Sequence, residues 1–293
     1  MKEQAQLVFF SGTGGTALAV ETLSAALRGK GVQTRVSEIL HGKPPKVQPG
    51  ERLIVLFPVY AGDAPSPVAR WIRSLGQARE GKAAVIAVSG GGEVSPNTAC
   101  RMKTIRRLEK HGFRVIGEYM LCMPSNMIVP TPEAIALRLL RALPEQCGRI
   151  ADAILADTPN RKPPLRGDRL LLPLLAAEKA GSRLFGKSLK AGAACTSCGL
   201  CAKRCPCGNI RMKDGKPRFG WHCALCLRCV YGCTQHAIQT GMPVLKRAVF
   251  KEGFDLEALR RKAAELEQAP EATDETVGAA WEGVTAYLEQ KSV

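Results

Sequence analysis

Leu7-Val8-Phe9-Phe10-Ser11-Gly12-Thr13-Gly14-Gly15-Thr16 is the stretch whose reading decides the fold. Its four leading apolar residues are too few for a helix and read as a strand buried on both faces. Residues 16–28 follow with Leu18, Ala19, Leu23 and Leu27 at helical spacing. Between strand and helix stand three glycines and the hydroxyls of Ser11, Thr13 and Thr16. Glycine lets the main chain approach a ligand closely, and a helix N-terminus offers unpaired N–H groups and the positive end of its dipole. Strand, glycine-hydroxyl loop and helix together predict an anion site, with phosphate the anion these donors suit.

Outward from the loop, strands are expected at residues 32–39, 53–57, 83–89 and 113–121. Helices are expected at 67–75, 96–111 and 132–156, the last broken near Pro144. Alternating strands and helices imply a parallel, doubly wound α/β sheet, in which ligands bind beyond the carboxyl ends of the strands. That rule nominates Pro58-Val59-Tyr60-Ala61-Gly62-Asp63 and Ser89-Gly90-Gly91-Gly92-Glu93. It adds Cys122-Met123-Pro124-Ser125-Asn126-Met127 as a further candidate: a cover for the ligand, a face toward the cysteine-rich segment later in the chain, or a structural loop.

Several phosphates remain open. No Gly-Lys-Ser/Thr follows, which excludes a Walker A loop. Gly12, Gly14 and Ala17 fit a dinucleotide fingerprint, although Glu38 lies late for its acid and the three hydroxyls go unused. A glycine turn that binds nothing is the third reading. Residues 11–16 resemble the T/S-x-T-G-x-T phosphate loop of flavodoxins at every fixed position. That resemblance implies strand order 2-1-3-4-5 and FMN as cofactor, its phosphate on Ser11, Gly12, Thr13, Gly14, Gly15 and Thr16. It places the ring between Pro58, Tyr60, Ala61 and Gly62 on one side and Ser89, Gly90, Gly91 and Gly92 on the other. Tyr60 has the flat face to stack on the ring. Tyr60, Cys122 and Ser125 are the candidate proton donors for chemistry there.

The second decisive stretch holds C-T-S-C-G-L-C-A-K-R-C-P and C-A-L-C-L-R-C-V-Y-G-C, two copies of C-x2-C-x2-C-x3-C. The copies are Cys195, Cys198, Cys201, Cys205 and Cys223, Cys226, Cys229, Cys233. A zinc ribbon needs four ligands, and a disulfide set needs an oxidising compartment. The repeat resembles the two-cluster bacterial ferredoxins, including Cys205-Pro206 followed by Gly208 and Ile210; Thr234 stands where the second half usually has proline. The resemblance implies two [4Fe-4S] clusters in a small α+β ferredoxin domain, each fourth cysteine crossing to the other cluster. Cluster I then takes Cys195, Cys198, Cys201 and Cys233; cluster II takes Cys205, Cys223, Cys226 and Cys229. Cys100, Cys122, Cys147 and Cys207 are left as small core residues, and His222 as a surface or hydrogen-bonding histidine.

Together the halves resemble proteins of anaerobes in which a flavodoxin-like domain precedes a two-cluster ferredoxin domain. The expected plan is a flavodoxin-like FMN domain at 1–157, a proline-rich basic linker with a short helix at 158–190, the ferredoxin domain at 191–240 and a helical extension at 241–293. Within the linker, the apolar run 170–177 is too short to span a bilayer and reads as a packed helix. The extension carries two amphipathic patterns, 254–268 and 275–290, that either brace the domains or form a homodimer contact.

The N-terminus M-K-E-Q-A-Q-L-V-F-F-S-G-T-G-G has no signal-peptide pattern, and no apolar run reaches spanning length. A cytoplasmic protein without a membrane span is expected. The chain has 293 residues, enough for one large or two modest domains, and a formal charge of +16. Eight ligating thiolates and two dipositive cores would bring that to about +12. Residues 161–220 hold 14 Lys or Arg against three acids. No nucleic-acid motif accompanies this belt, so nucleic-acid binding is only a remote third class. An acidic redox partner such as a ferredoxin or flavodoxin is the expected complement. The expected function is an oxidoreductase or electron-transfer protein passing single electrons between two clusters and an FMN. A reductase of a small molecule and a pure carrier between proteins both remain open.

Overall fold

A computed structural model describes residues 3–78, 81–250, 253–266 and 281–289, with the side chains of 171–180 and 244–245 left aside. Nine elements build the first half: β1 (Gln4–Phe9), α1 (Gly15–Gly29), β2 (Gln33–Glu38), β3 (Arg52–Pro58), α2 (Ser66–Arg73), β4 (Gly81–Ser89), α3 (Met102–Lys110), β5 (Phe113–Cys122) and α4 (Glu133–Leu155). All neighbouring strands pair in parallel, in the order β2-β1-β3-β4-β5, the flavodoxin-like arrangement. Successive side chains alternate between faces. Leu7, Ile54, Leu56 and Ile86 join Leu23 of α1 and Leu139 of α4 on one side. Val8, Val55, Phe57 and Val85 join Trp71 of α2 and Leu108 of α3 on the other. A sheet covered on both faces leaves its loops as the places where a ligand can reach the main chain.

Two expectations change. The break near Pro144 is absent: α4 runs unbroken through it. The lost N–H bond is offset by buried side chains on both sides of the proline, from Ile135 to Ile154. The helix expected at 96–111 divides into a 3-10 turn, Asn97–Ala99, and α3.

The linker helix α5 (Arg166–Ser188) is much longer than the apolar run 170–177. Arginine, lysine and glutamate flank that run and are themselves good helix formers. Asp168 in its first turn accepts from Ser95 Oγ at 2.6 Å and from Thr98 Oγ1, tying α5 to the loop after β4.

A small α+β unit follows: β6 (Leu189–Ala191), α6 (Leu200–Lys203), β7 (Ile210–Lys213), β8 (Lys216–Phe219), α7 (Arg228–Tyr231) and β9 (Ile238–Thr240). β6 pairs antiparallel with β9 and β7 with β8. Asp214 and Gly215, both left-handed, turn the second hairpin. Strand, short helix and strand therefore occur twice, in step with the cysteine repeat.

α8 (Pro243–Ala248), α9 (Leu256–Glu265) and α10 (Glu282–Glu289) close the described chain. Leu256, Ala263, Trp281, Val284 and Tyr287 are buried in the core shared with α1 and α4. The two amphipathic patterns thus cover the first half in α9 and α10. Residues 267–268, 275–280 and 290 of those expectations lie outside the described residues. No helix among the described residues is long and apolar enough to cross a membrane.

Candidate functional site

The phosphate-loop stretch leaves β1 and enters α1 through Gly14, whose φ of 104° is left-handed and suits glycine. Among the described residues, nothing accepts from the main-chain amides of Gly12, Thr13, Gly14, Gly15 and Thr16. Five orphan donors at a helix N-terminus are a cradle for an oxyanion. Ser11 Oγ accepts from Ala17 N at 3.3 Å, and Thr13 Oγ1 accepts from Asn126 Nδ2 at 2.6 Å.

A cleft of about 200 Å³ opens from this cradle at the carboxyl ends of β1, β3, β4 and β5. Gly12, Thr13, Gly15 and Thr16 form one end; Pro58, Val59, Tyr60 and Ala61 one wall; Ser89 and Gly90 another. The β5 loop joins them through Met123, Pro124, Ser125, Asn126 and Met127, while Leu225 and Phe254 close it from later in the chain. The structure therefore gathers residues of all four nominated loops into one place.

Some nominated residues do not line it. Ser11, Gly14 and Gly62 are not among the residues that line the cleft. Gly91 N donates to Ser89 Oγ at 3.1 Å. Gly92 is left-handed and packs on α10, where an added Cβ would stand 2.5 Å from the Gly283 carbonyl oxygen. Glu93 turns inward to Arg101, 1% exposed, which donates to both its oxygens at 2.7 and 3.0 Å and to Glu118 at 2.9 Å. Cys122 is buried and does not line the cleft, so it offers no proton there; burial pushes its thiol far up and keeps it neutral. Ser125 Oγ donates to Met127 O at 2.9 Å.

Tyr60 stands edge-on to Phe10, ring centroids 6.5 Å apart, with its hydroxyl against Gly12. Burial, and then nearby Cys226, push its phenol well above the ordinary range, so it is a neutral donor. Burial likewise pushes Cys100 and Cys147 up to about 12 and raises Cys207 further, the state of packed core thiols.

One cavity is ringed by Cys195, Cys198, Cys201 and Cys233. Cys229 lies among other repeat cysteines: burial first, then the Cys226, Cys223, Cys205 and Cys201 sulfurs, push its thiol well up. Burial and then Cys226 push Cys223 up to about 12. Four crowded sulfurs resist becoming thiolates together unless a cation balances them.

The loops converge because corresponding residues turn left-handed in both copies, Ser197 and Gly199 in the first and Leu225 and Leu227 in the second. Backbone amides point at the sulfurs: Asn209 N to Cys205 Sγ at 3.3 Å, Ala237 N to Cys233 Sγ at 3.4 Å and Leu225 N to Cys223 Sγ at 3.4 Å. Among the described residues, no three His, Cys, Asp or Glu side chains are grouped to hold one metal ion.

Sequence reasoning missed how the two regions meet. Arg228, in the spacer between Cys226 and Cys229, donates to Ser11 O at 2.6 Å, to Gly12 O at 3.1 Å and to Glu38. A Cβ on Gly12 would lie 2.6 Å from the Cys226 carbonyl oxygen. His41 N donates to Pro206 O at 2.9 Å, and Tyr231 OH to Asn126 O at 2.8 Å. Cys207, Ala224 and Cys226 are buried in the α2/α3 side of the first core. The second cysteine set is thus held against the phosphate loop. One arginine in a cysteine spacer carries no sequence signal for this.

No family model and no curated protein matches the sequence. Among solved structures, flavodoxin 1 of Bacillus cereus is 16% identical and covers 53% of this chain and 98% of its own, with a TM-score of 0.39. The flavodoxin of Streptococcus pneumoniae TIGR4 is 16% identical over 53% of this chain and 99% of its own, also at 0.39. Rubredoxin oxygen:oxidoreductase of Desulfovibrio gigas is 15% identical over 53% of this chain and 37% of its own, at 0.36. The flavodoxin-like fold of the first half rests on its own strand order.

Proposed function

We propose that this chain is a flavin- and iron–sulfur-dependent electron-transfer protein, in which an FMN in the β-sheet cleft exchanges electrons with two [4Fe-4S] clusters held by the cysteine repeat. A cluster carries one electron at a time and a flavin one or two, so their union links single-electron and paired-electron chemistry. The observation that carries this reading is the docking of the Cys226–Cys229 segment on the phosphate loop through Arg228 and Gly12.

The residues suit the groups. Five unpaired amides, Gly12 to Thr16, would take the FMN phosphate; Tyr60 and Gly90 flank the space for its ring. Cys195, Cys198, Cys201 and Cys233 would hold one cluster, and Cys205, Cys223, Cys226 and Cys229 the other. A cubane spreads its four cysteine sulfurs wider than a single ion does, so a mononuclear grouping is not what it requires. The amide-to-sulfur bonds stabilise thiolate charge and tune potential.

The cluster held by Cys205, Cys223, Cys226 and Cys229 would then lie on the side of the phosphate loop, and Cys198 of the other set is exposed. An acidic redox protein docking on the basic belt would exchange electrons at Cys198, and Tyr60, which lines the cleft and stays neutral, would be a proton donor there.

The test is anaerobic purification of the full chain with iron, sulfide and flavin counted. About eight irons and one FMN per chain are expected for two four-iron clusters and one flavin. Eight irons without flavin, even after FMN is added, would return the loop to the dinucleotide reading. A preparation lacking iron would refute the cluster reading.

A further inference from the structure

A second cleft, of about 420 Å³, opens on the far side of Tyr60, Ala61 and Leu225 from the first. Arg70 and Arg73 reach it from α2, Arg183 from α5, and Trp221 and His222 from the segment entering the second cysteine set. No aspartate or glutamate lines it. Some exposed arginines elsewhere have acidic partners, such as Arg35 with Glu51 at 3.0 Å and Arg161 with Glu109 at 2.9 Å. Among the described residues, the three cleft arginines have no ion pair. Guanidinium groups brought together repel one another unless an anion is shared between them, and their planar forks match carboxylate and phosphate.

Trp221 adds a second, independent feature. It is 50% exposed, whereas Trp71 and Trp281 are buried. Lys187 lies on the Trp221 ring at 6.0 Å, marking it as a surface for flat or charged groups. The cleft is held in place, since Ser182 Oγ donates to Cys223 O at 3.1 Å. Its inner wall is Tyr60 and Ala61 on one side and Cys223 to Leu225 on the other.

We propose that this cleft binds a planar organic anion, an aromatic group carrying a carboxylate or phosphate, with the anion on Arg70, Arg73 and Arg183 and the ring against Trp221. Binding stands on the cleft alone; the further role of this anion as the molecule that exchanges electrons with the site rests on the redox reading above. A wall shared with the first cleft would bring the ligand beside the flavin.

Calorimetric titration of the full-length protein, as purified anaerobically in about 0.15 M salt to screen weak surface charge, tests it. Benzoate and 5′-AMP serve as the carboxylate and phosphate probes. At least one should bind, and which one does assigns the anion. The double variant Arg70→Gln/Arg73→Gln should bind at least tenfold more weakly, while Arg211→Gln, on exposed β7 outside the cleft, should bind as the parent does. No binding of either probe, or equal loss in Arg211→Gln, overturns the proposal. Iron and flavin are counted in the same preparation. Probe binding without those cofactors refutes the redox reading and leaves the site; full cofactor content without probe binding does the reverse.

Discussion

Gly12 is where the residue scale matters most. Its place in a glycine-hydroxyl loop was legible in sequence, because phosphate cradles need main-chain amides. Its second constraint was not. An added Cβ would meet the Tyr60 hydroxyl at 2.3 Å and the Cys226 carbonyl at 2.6 Å. The tyrosine can rotate away; the carbonyl is backbone held by Arg228. Gly12→Ala should therefore part the two regions and weaken FMN binding by about tenfold or more, the scale of one lost interaction of ~1.4 kcal/mol. Titration of FMN by its fluorescence would measure this, and unchanged affinity would contradict the contact. Cys205→Ser should remove one sulfur from the set with Cys223, Cys226 and Cys229 and spare that of Cys195, Cys198, Cys201 and Cys233. EPR resolving two clusters should show loss of one signal; loss assigned to the Cys195 set would overturn the grouping. Gly91 and Gly92 mark the opposite lesson. They read as ring contacts through the resemblance to flavodoxins, and in the structure Gly91 N donates to Ser89 Oγ while Gly92 packs on Gly283.

At the scale of elements, alternation and helical spacing gave strand and helix types because those periods are local. Ends and joins were less legible. α4 passes through Pro144 because contacts distant in sequence outweigh a missing amide. Its C-terminal residue beyond, Asp157, joins the starts of two strands: Arg52 of β3 donates to it at 2.5 Å, and Lys82 of β4 also donates to it. Lys82, and then Arg52, hold this carboxyl below the usual range. A depressed carboxyl binds fewer protons folded than unfolded, so its contribution is complete above the unfolded value of about 4 and falls as pH drops through the folded value. Asp157→Asn should cost about 1–2 kcal/mol at neutral pH, modest because the group is partly exposed. Its urea midpoint should approach that of the parent as pH falls below about 4. A constant gap across that range would exclude this carboxylate as the cause.

For the whole molecule, the C-terminal helices are part of the first half's core. Leu256, 5% exposed, reaches Gly14 of the phosphate loop, where an added Cβ would lie 3.2 Å from its Cδ2; Phe254 closes the cleft. Leu256→Ala should lower stability by about 2–4 kcal/mol, as buried leucine truncations do, and loosen FMN binding in parallel. Denaturant unfolding and FMN titration of the same variant would show both; a stability loss under ~0.5 kcal/mol would mean that α9 only rests on the surface.

The sequence by itself determined the donor chemistry and the local architecture. Ser11 to Thr16 read as an anion loop, and the cysteine spacing as two ligand sets, because ligand type, loop length and hydrophobic period are properties of neighbouring residues. Only the tertiary structure decided what these sites face. Arg228 meets Gly12 across 216 residues of chain, and Arg70, Arg73 and Arg183 converge from separate helices beside Trp221. Such meetings follow from how the small cysteine-rich unit docks on the sheet, and packing between distant segments leaves no period or spacing to read.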